Sequence, residues 1–211
     1  MNIVFMGTSS FAVLVLEELL KMEDNNVVGV VTKPDRPAGR GRKLHSPPVK
    51  EIAEKEGLVI WQPKRVNAQE FVSVLRHVSP EIIVVAAYGQ ILRQDLLAIP
   101  QWGAVNVHAS LLPSFRGADP IRWALLRGEK ETGVTIMLMD EGIDTGPVLA
   151  QEKVAIERDD NYQSLTEKLG REGGKLLVET LPRWVRGEIS LRPQEGEVSY
   201  APVLKKERAK I

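Results

Sequence analysis

Ile82-Ile83-Val84-Val85-Ala86-Ala87 is the stretch of sequence that decides the fold. It is an unbroken apolar run rich in β-branched residues and has no polar residue at alternate positions. This is the pattern of a strand buried on both faces, which is typical of parallel sheets covered by helices. Apolar spacing predicts a helix before this strand, at 68–77, and another after it, at 93–99. The stretch is therefore interpreted as the middle of a strand and helix alternation.

The alternation extends to both ends of the chain. Ile3-Val4-Phe5 ends at Gly7 and is followed by Ser9 and Ser10, two candidate helix caps, and by an apolar series typical of a helix. Asp159 or Asp160 is predicted to cap a last long helix. Further predicted strands are 27–32, 59–61, 104–108, 134–139 and 148–156, and further helices are 49–56, 120–127 and 164–185. The sequence therefore predicts an α/β, Rossmann-like fold with a mostly parallel twisted sheet and helices on both faces.

The bulk composition excludes several kinds of chemistry. The 211 residues fit one α/β domain with a short appendage. The chain contains no cysteine, which excludes disulfides, a thiolate nucleophile and a zinc-thiolate site. The start carries no basic leader, and no apolar stretch approaches membrane-spanning length. We therefore expect a cytoplasmic protein that makes no contact with membranes.

The segment 33–48 is long for a connection between a strand and a helix in such a sheet. Loops of this length in compact domains are usually functional or disordered. The formal net charge is zero, which argues against a general coat of positive charge but leaves a local basic patch open. Between 33 and 50 only Asp35 is acidic, whereas the basic residues are Lys33, Arg36, Arg40, Arg42, Lys43 and Lys50. This clustering favours a functional loop that meets a polyanion.

Polar residues stand where two of the predicted strands end, which is the edge at which open parallel sheets bind ligands. Asn106 and His108 are two apart on one strand and therefore point to the same side, whereas Val105 and Val107 face the opposite side. An amide donor beside an imidazole suits acyl transfer, because the oxyanion that forms must meet aimed hydrogen-bond donors. Asp144, between Gly142 and Gly146, is predicted to orient the imidazole and to stabilise its positive charge.

Simpler interpretations of these residues stay open. A histidine at the end of a strand is often structural, and an aspartate between glycines is often a turn former. The three histidines do not pair with carboxylates at metal-ligand spacing, so no metal is expected. The single Gly7 is not the three-glycine fingerprint of a dinucleotide site, so no NAD is expected either.

The residues resemble the signature of the 10-formyltetrahydrofolate-dependent formyltransferases. The likeness rests on Asn106, His108, Ser110-Leu111-Leu112-Pro113, Gly117 and the loop 140–146. Within that group, the stretch 34–44, Pro-Asp-Arg-Pro-Ala-Gly-Arg-Gly-Arg-Lys-Leu, resembles the insertion loop of methionyl-tRNA formyltransferases, and the similarity continues through 132–137. It covers essentially the whole chain.

This resemblance implies a transferase with named site residues. Asn106, His108 and Asp144 match the catalytic triad. Arg42 matches the loop arginine that enters the end of the tRNA acceptor stem, where initiator tRNA lacks a firm first base pair. Residues implied to line the folate site are Ser110, Leu111, Leu112, Pro113, Tyr88, Gly89, Ile91, Leu138 and Asp140, and those implied to contact tRNA are Arg36, Arg40, Arg42 and Lys43.

The resemblance also implies substrates and a domain organisation. The co-substrate is 10-formyltetrahydrofolate, and the partner is initiator methionyl-tRNA. The chain is expected to be a monomer, with a catalytic domain at 1–187 and a linker at 188–211 that leads toward a carboxyl-terminal β-barrel outside this sequence. The alternatives left open are a formyltransferase for glycinamide ribonucleotide or an amino sugar nucleotide, a formyl-folate hydrolase, and a non-catalytic RNA-binding module.

Overall fold

The computed structural model describes residues 1–23, 25–38 and 43–204. The strands are β1 (Asn2–Gly7), β2 (Asn26–Val31), β3 (Arg36–Ala38), β4 (Lys43–His45), β5 (Ile60–Trp61), β6 (Ile82–Ala86), β7 (Ala104–His108), β8 (Glu131–Leu138) and β9 (Val148–Ala155). The helices are α1 (Ser10–Leu20), α2 (Pro48–Lys55), α3 (Gln69–Val78), α4 (Gln94–Leu97), α5 (Pro120–Leu126) and α6 (Tyr162–Val185).

Seven strands form one sheet in the order β5-β2-β1-β6-β7-β8-β9. The five strands from β5 to β7 are parallel, and β8 and β9 are added antiparallel at one edge. The predicted mostly parallel sheet is therefore confirmed. In the register, Met6 lies beside Val85 and Val85 beside Asn106, so the carboxyl ends of β1, β6 and β7 meet at one edge of the sheet.

Helices cover both faces of this sheet. Alternate residues of β1, β6 and β7 enter two separate apolar cores, one under α1, α2 and α6 and the other under α3 and α4. Val105 and Val107 lie in the first core, as the alternation predicted. Within the described residues, no helix is long and apolar enough to cross a membrane.

Helix α6 packs closely on α1 and on β7 because three of its residues are glycines. A Cβ added at Gly170 would lie 2.6 Å from a Leu14 methyl group, and one added at Gly174 would lie 2.7 Å from Glu18. A Cβ at Gly173 would lie 2.8 Å from Cγ1 of Val107, on the strand that carries the candidate catalytic residues. The glycines therefore let this helix lie directly against the back of that strand.

The predicted cap of α6 is wrong. Asn161, not Asp159 or Asp160, is the N-cap, and the helix begins at Tyr162. The Asn161 side chain accepts from the backbone N–H of Ser164, whose hydroxyl accepts from the Asn161 N–H, and these reciprocal bonds form a capping box. Asp160 instead accepts hydrogen bonds from the Ser164 hydroxyl and from Lys168.

The region 33–48 is not a plain loop, because β3 and β4 form a two-stranded antiparallel hairpin within it. Its base is fixed by Asp35, whose carboxylate accepts hydrogen bonds at 2.7 Å from both Lys50 Nζ and Gln62 Nε2. Asp35 therefore anchors the start of the hairpin to α2 and to the segment after β5. The sequence missed it because each strand is only three residues long.

The segment 191–204 lies on the domain. The backbones of Arg192 and Val148 exchange two hydrogen bonds, and Ala201 is fully buried. Trp123 Nε1 donates to the Pro202 carbonyl oxygen at 2.7 Å. These contacts attach the segment to the sheet edge and to α5.

Candidate active site

Strand β7 presents Asn106 and His108 on the face opposite the buried Val105 and Val107. Both polar side chains are largely buried, with exposed fractions of 8% and 6%. Within the described residues the Asn106 amide makes no side-chain hydrogen bond, so it is free to meet a ligand.

The imidazole of His108 lies between two acceptors. Its Nε2 is 3.1 Å from the Phe115 carbonyl oxygen, which only accepts, so Nε2 carries the proton. Its Nδ1 is 3.7 Å from Oδ2 of Asp144, which is within ion-pair range but too long for a hydrogen bond. A second proton on Nδ1 would place an imidazolium between the carbonyl and the carboxylate.

Asp144 is held by its backbone conformation and by a main-chain donor. Its φ is 51°, in the left-handed region that aspartate tolerates better than most residues. Its Oδ2 accepts a hydrogen bond from the Gly117 N–H at 2.7 Å. The structure therefore brings Asp144 to His108, and it places Asn106 on the same face of the strand. The catalytic roles of the three residues stay predictions.

The segment 110–113 forms a wall beside β8 and is held by hydrogen bonds to side chains of β8 and β9. The buried hydroxyl of Thr135 donates to the Ser110 carbonyl oxygen at 2.6 Å and accepts from the Leu112 N–H at 3.1 Å. Gln151 Nε2 donates to the Leu112 carbonyl oxygen at 2.8 Å. Leu112 and Pro113 are buried, whereas Leu111 is partly exposed. These bonds fix the backbone of the predicted folate segment.

In the segment after β6, the backbone is more available to a ligand than the side chains are. The Tyr88 ring is buried in the core, where burial raises the pKa of its hydroxyl well above the ordinary value. Gly89 is exposed at φ 75°, Ile91 is 69% exposed, and the Lys33 side chain packs against Gly89. Burial, followed by the charge of Arg36, lowers the pKa of Lys33.

The loop between β8 and β9 carries the remaining predicted folate residues. Leu138 is partly buried, and Asp140 is exposed. Oδ1 of Asp140 accepts from the Gly142 N–H at 3.0 Å and from the Thr145 hydroxyl at 2.7 Å. Asp140 therefore organises the loop that carries Asp144, and only its other oxygen is left for a ligand.

Two open depressions flank this region. The first, of about 570 Å³, is lined by 111–114, 151–153, Arg192 and 195–197. The second, of about 500 Å³, is lined by Arg116, Thr145, Pro147, Leu191, Pro193 and Gln194. The second lies next to Asp144, and neither is lined by Asn106, His108 or Asp144 itself.

The structure describes only two of the four residues that are predicted to contact tRNA. Arg36 is exposed on β3, and the backbone of Lys43 lies on β4, paired with Ala38. Arg40 and Arg42 lie outside the described residues. Within the described part of the chain, no group of three or more His, Asp or Glu side chains is arranged to hold a metal ion.

Sequence reasoning missed the groups that hold the two titratable side chains. The Phe115 carbonyl and the Gly117 N–H belong to the main chain and carry no signal in the residue type. Ser199, whose hydroxyl accepts from the Phe115 N–H at 2.9 Å, lies far away in the sequence. Of these groups, only Gly117 belongs to a residue that the sequence pattern had named. Its φ of 120° lies in the left-handed region that favours glycine.

Comparisons with known proteins found similar sequences and a similar fold. Residues 1–181 match the family model described as formyl transferase. The methionyl-tRNA formyltransferase of Thermodesulfovibrio yellowstonii is 46% identical over 210 residues, which cover 100% of this chain and 68% of that protein. The methionyl-tRNA formyltransferase of Caldanaerobacter subterraneus subsp. tengcongensis is 49% identical over 213 residues, which cover 100% of this chain and 69% of that protein.

A solved structure supports the same fold. Phosphoribosylglycinamide formyltransferase from Bacillus halodurans is 26% identical, with a TM-score of 0.73, over 88% of this chain and 95% of that chain. This chain spans just over two thirds of the length of each of the two methionyl-tRNA formyltransferases.

Proposed function

Because this chain belongs to the formyl transferase family, we propose that it transfers a formyl group from 10-formyltetrahydrofolate to the amino group of methionyl initiator tRNA. The observation that carries the proposal is the pairing of His108 with Asp144 at the end of the strand that presents the free Asn106 amide. The full-chain similarity to methionyl-tRNA formyltransferases supports the acceptor.

The reaction is a direct transfer between two bound substrates. The methionyl amine attacks the formyl carbon, and a tetrahedral intermediate with a negatively charged oxygen forms. The amine loses a proton, the bond from the formyl carbon to the folate nitrogen breaks, and that nitrogen gains a proton. The chain has no cysteine, and the Ser110 hydroxyl donates to the Ser114 carbonyl oxygen at 2.6 Å, so we propose no covalent enzyme intermediate.

Asn106 and His108 stabilise the oxyanion in this proposal. The Asn106 amide donates to the oxygen directly, because no protein group occupies it within the described residues. The imidazolium of His108 adds positive charge in a buried site, where charge acts more strongly than in water. Asp144 supports that charge from the Nδ1 side.

The co-substrate is proposed to bind between the backbone of 88–91 and the loop that carries Leu138 and Asp140. The register places Asn106 beside Val85 of β6 and beside Met137 of β8, so both segments follow strands that neighbour β7. The wall 110–113, fixed by Thr135 and Gln151, closes the site on another side. The chemistry needs no metal, because the charge of the oxyanion is met by the amide and the imidazolium.

The hairpin of β3 and β4 is proposed to supply the contacts to tRNA. Its base is anchored by Asp35, and Arg36 is exposed on it. Arg40, Arg42 and Lys43 follow in the sequence and would add phosphate and acceptor-stem contacts. We propose that the chain acts as a monomer in the cytoplasm, and that 188–211 leads toward a further domain that helps hold tRNA.

A formyl-transfer assay tests this function. The chain is incubated with 10-formyltetrahydrofolate and with methionyl initiator tRNA, methionyl elongator tRNA or glycinamide ribonucleotide. We expect formylation of the initiator tRNA, much less of the elongator tRNA, and none of glycinamide ribonucleotide. Transfer to glycinamide ribonucleotide alone would contradict the tRNA acceptor, and a chain that binds RNA but not folate would be a binding module.

A further inference from the structure

We propose that Gln194 is a positioning residue for formyl transfer, because it holds the loop of Asp144 against the turn that contacts His108. This inference rests on the proposed function and deepens it. Residue 194 lies beyond the residues that match the family model, which end at 181. It belongs instead to the segment 191–204 that lies across the domain.

The loop of Asp144 needs support from outside itself. Asp144 has a φ of 51°, which side chains adopt at a cost and which persists when surrounding contacts impose it. The neighbours Gly142, Ile143 and Thr145 are exposed, so they pack on little. A carboxylate on such a loop keeps a defined distance to His108 only if the loop is fixed.

Gln194 supplies the fixing contacts. Its Nε2 donates to the Asp144 carbonyl oxygen at 2.9 Å and to the Gly146 carbonyl oxygen at 2.8 Å. Its Oε1 accepts from Nε and Nη2 of Arg116 at 3.0 and 2.7 Å. One side chain therefore joins the loop to Arg116 with four hydrogen bonds.

Arg116 stands between the two groups that hold the candidate catalytic side chains. The preceding residue, Phe115, meets His108 with its carbonyl oxygen, and the following residue, Gly117, meets Asp144 with its N–H. The backbone of Arg116 is itself bonded to Ser199 and Ala201 of the segment that carries Gln194. Gln194 thus closes a ring of contacts that sets the distance between Asp144 and His108.

The contacts require an amide in one orientation. A guanidinium only donates and a carbonyl oxygen only accepts, so residue 194 must present an acceptor to Arg116 and two donors to the loop. Glutamate would keep the contact with Arg116 but would place an oxygen against two carbonyl oxygens. Leucine would keep the bulk and lose all four bonds.

The test compares steady-state kinetics of the chain with those of Gln194→Glu, Gln194→Leu and Trp123→Phe. The control Trp123→Phe removes the bond to Pro202 in the same segment and leaves the loop of Asp144 untouched. We expect both Gln194 variants to lose about ten- to a hundredfold in kcat, because misplacement of a reacting group by about 1 Å has such an effect. The KM for methionyl-tRNA should change by less than about twofold, as for a group that does not bind it.

Gln194→Glu is the more specific variant, because it keeps the acceptor for Arg116 and loses the donors to the loop. The melting temperature of each variant shows whether it has folded. Wild-type kcat in either folded Gln194 variant would overturn the proposal. An equal loss in Trp123→Phe, or a raised KM with unchanged kcat, would also overturn it, since the role would then be structural or in binding. If the unaltered chain transferred no formyl group, the proposed function itself would fail.

Discussion

Nδ1 of His108 lies 3.7 Å from Oδ2 of Asp144, the same oxygen that accepts the Gly117 N–H bond at 2.7 Å. The main chain therefore aims the carboxylate at the imidazole. Asp144 therefore contributes both a hydrogen-bond acceptor for Gly117 and a negative charge beside His108. A mutation that keeps the acceptor and removes the charge can test the charge by itself.

Asp144→Asn removes the charge and keeps an oxygen for Gly117. Asparagine also tolerates the left-handed conformation, so the fold should be unchanged. We expect kcat for formyl transfer to fall by about a hundredfold or more, because the positive charge of His108 loses its support. Glu141→Gln, which neutralises an exposed carboxylate in the same loop, is the control and should keep wild-type kcat.

Asn106→Ala and His108→Ala test the two groups that are proposed to stabilise the oxyanion, the amide by a hydrogen bond and the imidazolium by its charge. Each should lower kcat by about a hundredfold to a thousandfold, the usual cost of losing one group that stabilises an oxyanion. Binding of the folate co-substrate, measured by titration, should survive both changes. His77→Ala, an exposed histidine on α3, is the control. Near-normal turnover in either test variant would refute the assignment of that residue.

Thr135→Val tests the wall 110–113. The change leaves the Ser110 carbonyl and the Leu112 N–H without their partner in a buried site. The free energy of unfolding should fall by about 1–3 kcal/mol, the penalty for unsatisfied buried groups. Thr132→Val is the matched control, because Thr132 is buried on the same strand and makes no side-chain hydrogen bond within the described residues. Equal effects in chemical denaturation would show that the bonds of Thr135 contribute nothing.

Asp35 predicts a pH dependence of stability. Hydrogen bonds from Gln62 and then Lys50 hold the pKa of its carboxyl below the ordinary value. The unfolded chain therefore binds the proton first, so the stabilisation is present above about pH 4 and is lost as the pH falls through the folded-state pKa. The difference in melting temperature between the wild type and Asp35→Asn should be largest near neutrality and should disappear in acid. A difference that stays constant would contradict this origin.

Much of the fold follows from local sequence. The apolar run of β6 has no polar alternation, so it must be buried on both faces, and helices between neighbouring strands then require parallel pairing. The side to which Asn106 and His108 point follows from the two-residue period of a strand. The first residue of α6 did not follow, because Asp159, Asp160 and Asn161 are all good caps. The Ser164 side chain, which bonds back to Asn161, decides among them.

The contacts of the candidate site could be predicted only in part. Asn106, His108 and Asp144 carry polar side chains, and the resemblance alone singles them out as candidates. The groups that orient them are a carbonyl, an N–H and the amide of Gln194, which is 50 residues from Asp144. Tertiary packing brings such partners to the site, so no local sequence pattern predicts them.

Gly173 gives a further prediction. Alanine is usually the better residue inside a helix, by about 1 kcal/mol. Here its Cβ would lie 2.8 Å from Val107, so either the helix or the strand must move. We expect Gly173→Ala to lower both the melting temperature and kcat. Gly128→Ala, where a Cβ would meet nothing but φ is 67°, should lower stability alone.

Engineers who wish to stabilise this protein commonly start by replacing helical glycines. At Gly173 of α6 that strategy would act against catalysis. Gly173 packs against Val107, the residue of β7 between Asn106 and His108. Substitutions for greater stability are better placed on the solvent-exposed side of the same helix. Side chains added there do not displace the strand that carries Asn106 and His108.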